Sequence, residues 1–381
     1  MRTLLAILFF SAATLTLAQD KPPKQPDVLV FTNGDKLTGT LVRAVGSNVI
    51  FKSDMAGELT IPYSKIKELT TQQPFAVIAK GKRITRKTPD AEVPQGIVSI
   101  AEDTITVGTA PATVLVPVAK AVYVVDDTTY QHDVRGTTGF LQGWNGAVTL
   151  GASLVKATQN NYGANAAIAV VRTIPQAAYI DPRNRTTAGF TFNYGEVTTP
   201  VLLDGVRVNQ VARTDIYHAE AERDEYVTRR VFVLGRLAYD HNFSQGLKLA
   251  QTYGGGVGWT VILKPKQQLD LKADVHYVRE DFFVSSQNQN LIAIGIGDNY
   301  LVKLPRNMVL TQFLTVSPSV NNIDATAAVG GVNLAAPFSK KLAFSAGVTD
   351  SFINNPGFLS PGIQSKKNSV QVTTGLTYTL R

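Results

Sequence analysis

Cysteine does not occur in the 381 residues. Its absence excludes a disulfide framework, a thiolate nucleophile, a zinc–thiolate site and a lipidated-cysteine anchor together. Histidine is scarce, with four residues (His132, His218, His241 and His276), so imidazole chemistry has few places to reside. Charge is sparse as well, at 17% of residues, against about 25% in an average soluble protein. Yet the mean hydropathy is only +0.02, and no internal run approaches the roughly 20 apolar residues of a transmembrane helix. A membrane protein of this composition has to be a β-barrel, whose strands are apolar on one face only. A Gly-x-Ser-x-Gly elbow, the turn that carries a hydrolase serine, is also missing.

What is present begins with an export signal. Arg2 supplies a positive start, Leu4 to Leu17 an apolar run, and Thr16-Leu17-Ala18 small residues where a signal peptidase needs them. Cleavage is expected after Ala18. The charged, proline-rich stretch Asp20 to Pro26 follows at once, which argues against an uncleaved anchor. Lysine and arginine (37) exceed aspartate and glutamate (29), giving a net charge of +8. That balance suits an anionic surface such as the phosphates of outer-membrane lipid and lipopolysaccharide, while export excludes nucleic acid as partner.

The first part of the chain repeats itself. Val28-Leu29-Val30-Phe31 followed by Asn33-Gly34-Asp35-Lys36-Leu37-Thr38 matches Phe75-Ala76-Val77-Ile78 followed by Lys80-Gly81-Lys82-Arg83-Ile84-Thr85. Ile61-Pro62-Tyr63-Ser64-Lys65 likewise matches Val116-Pro117-Val118-Ala119-Lys120, with an insertion around Arg86 to Gln95. Asn33-Gly34 is a hairpin signal, because both residues tolerate the positive φ of a tight turn. Each copy has the size of a small SH3-like unit, and pairing of the copies is expected because one alone would bury little core. The basic cluster Lys80, Lys82, Arg83, Arg86 and Lys87 reads as a solvated hairpin before it reads as a site for an anionic polymer.

From Trp144 onward the period is two. Leu247 to Leu263 sets Tyr253, Val257, Trp259 and Val261 against Thr252, Gly254, Gly256 and Thr260, and the last segment sets Val370, Val372, Leu376, Tyr378 and Leu380 against Gln371, Thr373, Gly375, Thr377 and Thr379. Twelve such segments begin near Trp144, Tyr162, Arg185, Val208, Val227, Leu247, Gln267, Leu291, Asn307, Ile323, Lys341 and Lys367. An even count suits a closed barrel, which leaves no unpaired edge in lipid. Short turns are expected on the periplasmic side at Asp224-Glu225, Lys264 to Lys266, Pro305-Arg306 and Pro337 to Ser339. Longer outer loops are expected at Val197 to Arg207, His241 to Gly246, Ser285 to Asn290 and Asn354 to Ser365. Ile174 to Asn184 breaks the rule by being long on the periplasmic side.

Trp144-Asn145-Gly146, Leu150-Gly151-Ala152-Ser153 and Gly163-Ala164-Asn165, with Gly34 to Gly39 and Ala56 to Ile61 upstream, resemble the salt-induced outer-membrane protein (YdiY-like) family. That family is a β-barrel domain of unknown function. The resemblance implies outer-membrane location and brings no catalytic residues.

Two polar files stand out. His218, Glu220 and Glu222 share one face of a strand; they could bind zinc or nickel, or line a charged lumen beside Arg213, Asp215, Arg223, Arg229 and Arg236. Asp270, Lys272, Asp274 and His276 form a second file, for which lumen lining is favoured. His132 and His241 sit in connecting segments. Gly254-Gly255-Gly256 with Gly258 lacks the spacing of a phosphate loop and reads as glycines that relieve curvature.

The expected fold is therefore all-β: an antiparallel transmembrane barrel of about twelve strands preceded by two small SH3-like modules. Its divisions are a signal peptide (1–18), a duplicated domain (27–126, as 27–73 and 75–126), a linker (127–143) and the barrel (144–381). A non-enzymatic outer-membrane protein follows, either a narrow channel or a stress-responsive structural component. No catalytic, cofactor-binding or metal-binding residue is assigned, and no cofactor is expected. Twelve strands fall between filled barrels and wide porins, so a partly plugged lumen is expected, its solute anionic from the basic balance. The competing readings are a lipid-modifying enzyme using His218 or His276 as general base, and a soluble secreted adhesin. The N-terminal domain is expected in the periplasm, with a periplasmic or cell-wall partner.

Overall fold

The computed structural model describes residues 25–82, 84, 87–108, 112–135, 139–156, 160–177, 179–203, 206–360 and 363–380. The export signal with its cleavage point, and Arg83 and Arg86 of the basic cluster, lie outside these residues. The chain divides into two compact units: the first runs through Lys82 and resumes over Pro89–Asp127, and the second holds Arg83–Thr88 and Thr128–Arg381.

The first unit is a nine-stranded antiparallel assembly. Its strands are β1 (Asp27–Phe31), β2 (Lys36–Val45), β3 (Asn48–Ser53), β4 (Gly57–Pro62), β5 (Ile66–Ala79), β6 (Gln95–Ala101), β7 (Thr104–Val107), β8 (Val114–Pro117) and β9 (Ala121–Asp126). The β1–β2 turn forms where Asn33-Gly34 demands it: Gly34 takes φ +92°, and its amide donates to the Phe31 carbonyl at 3.0 Å. The order β2–β3–β4 recurs as β6–β7–β8, and the long β5 serves both copies, its first half closing one and its second half opening the other. Each copy also lends a strand to its twin, since β9 pairs with β2 and the first half of β5 pairs with β6. Leu29, Phe51, Leu69, Phe75, Val98 and Ile105 from both copies meet in one core. Asp27 is buried beneath it, its carboxylate accepting the amides of Leu41 and Gln72 at 2.7 Å each. Lys82 pairs with Glu92 at 2.5 Å.

The second unit is a closed barrel of twelve antiparallel strands. In order they are β10 (Asn145–Lys156), β11 (Asn160–Ile174), β12 (Asn184–Leu203), β13 (Val206–Tyr226), β14 (Val231–Asn242), β15 (Leu247–Lys264), β16 (Gln267–Phe282), β17 (Gln289–Lys303), β18 (Val309–Ser317), β19 (Ala327–Pro337) and β20 (Leu342–Ile353). A small hairpin, β21 (Phe358–Ser360) and β22 (Ile363–Gln364), precedes the last strand, β23 (Asn368–Leu380). β23 pairs with β10 from Leu376↔Leu150 to Leu380↔Gly146 and closes the ring. The twelve segments marked by alternation are these twelve strands. Among the described residues no helix is long and apolar enough to cross a membrane.

Outward positions carry the apolar file, with Val257, Trp259, Val275, Ile296, Val370 and Val372 all exposed. A girdle of tyrosines (Tyr217, Tyr239, Tyr253 and Tyr277) crosses consecutive strands β13 to β16 on the same face. Such a belt belongs at a membrane–water boundary, where an apolar ring and a polar tip are both accommodated.

One end of the barrel, here the turn end, carries the start of β10, the end of β23 and the connections 175–183, 227–230, 265–266, 304–308 and 338–341. The other, the loop end, carries 243–246, 283–288, 318–326 and 354–367 among its connections. Two expected connections are displaced. Asp224-Glu225 lies within β13, and the turn falls at 227–230, because Asp224 is needed inside the barrel, paired to Arg185. Val197 to Arg207 is largely strand: β12 and β13 stay paired out to Leu203↔Val206, well past the last partners on β11 (Thr198) and β14 (Ile216). The pairing persists because each strand's backbone groups still find partners in the other.

The long turn-end connection is built in. Arg183 donates to the Ile84 carbonyl at 2.5 Å, and Arg135 donates to the Thr88 carbonyl at 3.2 Å, both contacts lying within the second unit. The segment after Asp127 is helical through Val134, with Tyr130 and Val134 buried.

Candidate functional site: a filled lumen

Period-two strands in a closed ring leave two surfaces, and whatever chemistry the second unit has lies on the inner one. Along β12 to β16 the inward file is charged. At the turn end Arg185 binds Asp224 at 2.7 Å and Asp270 at 2.8 Å, and its guanidinium lies 5.2 Å from the Phe232 ring centre. Thr260 donates to Asp270 at 2.7 Å. Asp224 is only 1% exposed; a carboxylate so buried persists as an ion only because a cation sits against it. Above this knot Lys272 pairs with Glu222, Arg236 reaches Asp274 at 3.4 Å, and Asp274 pairs with His276. Higher still His218 bonds Asp240 at 2.6 Å and approaches Glu220 at 3.6 Å.

Both polar files of the sequence therefore face the lumen, and the strand order brings them together. Glu222 of the first file pairs with Lys272 of the second across the inner surface of β14 and β15. That pairing takes Glu222 away from His218, and among the described residues no three His, Asp or Glu side chains converge on a metal position. Of the five charged neighbours expected in the lumen, only Arg236 is inside. Arg213, Asp215 and Arg223 share the outward file with Tyr217, where Arg213 binds Glu196 at 3.0 Å and Arg223 binds Glu225 at 2.7 Å. Arg229 lies in the turn 227–230 and binds Asp181 at 3.2 Å. The alternation already contained this distinction, since 213, 215 and 223 are odd and 218, 220 and 222 even. His132 pairs with Asp133 at 2.6 Å, and His241 bonds the Lys248 carbonyl at 2.7 Å.

The sign of the lumen reverses the expectation from net charge. Among the described residues, seven carboxylates (Glu220, Glu222, Asp224, Asp240, Asp270, Asp274 and Glu280) share this inner wall with three permanent cations (Arg185, Arg236 and Lys272). The chain's excess of lysine and arginine lies elsewhere, and an acidic interior attracts cations rather than anions.

The glycine run on β15 also acquires a specific reason. A Cβ on Gly258 would stand 2.1 Å from Cζ of Phe232, and one on Gly254 or Gly256 would collide with His276 or Asp274. These glycines are bare so that large side chains of the neighbouring strands can lie over them.

Two connections cross the loop end from within. In the ring, β14 and β15 stand opposite β20 and β23. The connection 243–246 nevertheless reaches the far side, where Gln245, 1% exposed, donates to the carbonyls of Ser351 and Lys367 at 2.9 and 2.8 Å. Ser244 meets Ser369 at 3.2 Å. From the opposite side the connection after β20 comes over, and Phe358 donates its amide to Gln287 at 2.7 Å. Leu247, Ala250, Phe282 and Ile353 pack together beneath this crossing. Asn193 and Gln371 join at 2.6 Å across the lumen between β12 and β23. Glu220, whose side chain is 57% exposed, marks the solvated space left at mid-height.

A closed, apolar-belted barrel whose match begins inside β10 and ends with β23 decides the family: the model described as "Protein of unknown function, DUF481" matches residues 148–380. The chain belongs to the DUF481 family. No curated protein matches it by sequence. Among solved structures, the DUF481 barrel is similar to the NanC porin, at 8% identity over 62% of this chain and 100% of the porin, with a TM-score of 0.36. It is also similar to the translocator domain of the autotransporter NalP from Neisseria meningitidis, at 13% identity over 64% of this chain and 90% of that domain, TM-score 0.31. An anion-selective porin from Comamonas acidovorans matches at 8% identity over 62% of this chain and 97% of the porin, TM-score 0.28.

Proposed function

We propose that this DUF481 protein is an outer-membrane β-barrel that serves as a sealed, non-enzymatic structural component of the envelope. The resemblance to salt-induced barrels makes that role stress-responsive, and the SH3-like repeats stand in the periplasm. The observation that carries the reading is the loop-end seal, in which Gln245 crosses the mouth to carbonyls of the opposite wall. A channel would leave that position to water. The enzyme reading loses support because His218 and His276 face the lumen, each against a carboxylate, and away from the lipid that such an enzyme would act on.

Purified protein in planar bilayers tests this directly. The expected result is no steady conductance, and a conductance typical of an open twelve-strand pore would overturn it. One observation favours a second reading, a gated cation path: the acidic wall lies below the seal. Replacing residues 243–246 by a two-residue Asn-Gly turn, which removes the Gln245 crossing, should then yield a conductance that prefers cations over anions.

A further inference from the structure

Just before β10, outside the strand pairing of the barrel, the chain makes a turn over residues 139–144 that displays apolar side chains instead of hiding them. Phe140 is 75% exposed and Leu141 86%. Yet the turn is rigidly built. Gln142 donates its amide to the Gly139 carbonyl at 3.0 Å, and the buried Arg172 binds the carbonyls of Gln142 at 2.9 Å and Gly139 at 3.2 Å. Gly143 takes φ +79° with the Gln176 amide where a side chain would be. The Trp144 indole N–H donates to the Phe140 carbonyl at 2.8 Å, and the two rings stand edge to face, 6.2 Å apart.

Two features say what covers this display. Trp144 heads the outward file of β10 that continues through Val148 and the exposed Leu150, so the turn prolongs the lipid-facing surface of the barrel. Across the closing seam the same surface carries Tyr378, opposite Val148. The indole N–H, which usually keeps a tryptophan among polar headgroups, is already satisfied within the turn. Its ring therefore has no polar demand to hold it in water.

We propose that residues 139–144 are a membrane-interface anchor, with Phe140, Leu141 and Trp144 seated between headgroups and acyl chains of the leaflet at the turn end. The proposal rests on the barrel being membrane-inserted, and its test separates the two. The chain has two tryptophans, Trp144 and Trp259, and Trp259 lies outward on β15. Full-length Trp259→Phe and Trp144→Phe variants, folded into phosphatidylcholine vesicles, each report one ring. Lipids brominated near the headgroup end of the acyl chain should quench Trp144 emission by about twofold or more, as for an interfacial indole. Replacing Phe140 and Leu141 by serine should remove most of that quenching. If Trp259 is quenched while Trp144 is not, the anchor is refuted and the barrel stands. If neither is quenched, insertion itself fails and the anchor falls with it.

Discussion

At the scale of single residues, the interior of this barrel is organised by what its glycines and one arginine permit. Phe232 lies where a Gly258 side chain would be, so Gly258→Val should lower stability by about 1–3 kcal/mol, as overpacking generally does. Gly235, two strand positions beyond the outward Val233, has nothing within 4 Å of where a Cβ would stand; Gly235→Val should leave the urea midpoint in detergent unchanged. In a Phe232→Ala background Gly258→Val should cost much less than it does alone, because the two sites share one contact. Arg185 is the counter-ion of both Asp224 and Asp270. Arg185→Met strands two buried carboxylates and should cost about 3–5 kcal/mol. Unfolding by urea would show the drop, and a combined Asp224→Asn, Asp270→Asn background should erase most of it. The glycine run was legible in the sequence as something other than a phosphate loop, but its reason was not. The reason is Phe232, Asp274 and His276 on flanking strands, and which side chains flank which depends on register.

At the scale of elements, alternation located each barrel strand and failed mainly where pairing outlasts it. β12 and β13 remain hydrogen-bonded beyond the level at which β11 and β14 leave them, and a hairpin in water needs no apolar file to mark it. Connections were legible by their turn residues, whereas their trajectories were not. Nothing in Phe243-Ser244-Gln245-Gly246 announces that it crosses the mouth of the barrel. The absence of cysteine makes this crossing simple to check, since engineered thiols have no competitors. Ser244 and Ser369 stand 3.2 Å apart through their Oγ atoms, so a Ser244→Cys, Ser369→Cys variant should cross-link under mild oxidation. Slower or faster migration of the boiled, unreduced protein would register the bond. A failure to cross-link in the folded protein would mean that the seal does not form in the membrane.

At the scale of the whole molecule, ring closure governs stability, because each strand in lipid must find both partners. Folded protein extracted from outer membranes should migrate faster unboiled than boiled. Removing β23 takes away the only link between β20 and β10 among the described strands, so truncation before Asn368 should abolish the shift. Recovery of full-length protein in the soluble fraction without a mobility change would sink the membrane reading altogether. In the first unit β5 pairs with β1, β6 and β9, and β9 also pairs with β2, so strands far apart in sequence share one assembly.

The sequence by itself determined the class and the count: a period of two without long apolar runs allows only strands, and an apolar outer file with paired ends requires closure. It also determined which charged residues share a face, since parity along a strand is a local property. Only the tertiary structure decided which of those faces meet. Glu222 meets Lys272, and Arg185 meets Asp270, because residues about 50 and 85 positions apart come together when the ring closes. The acidic sign of the inner wall and the crossing of its mouth by Gln245 arise the same way, from inter-strand register and loop trajectory, which no local pattern encodes.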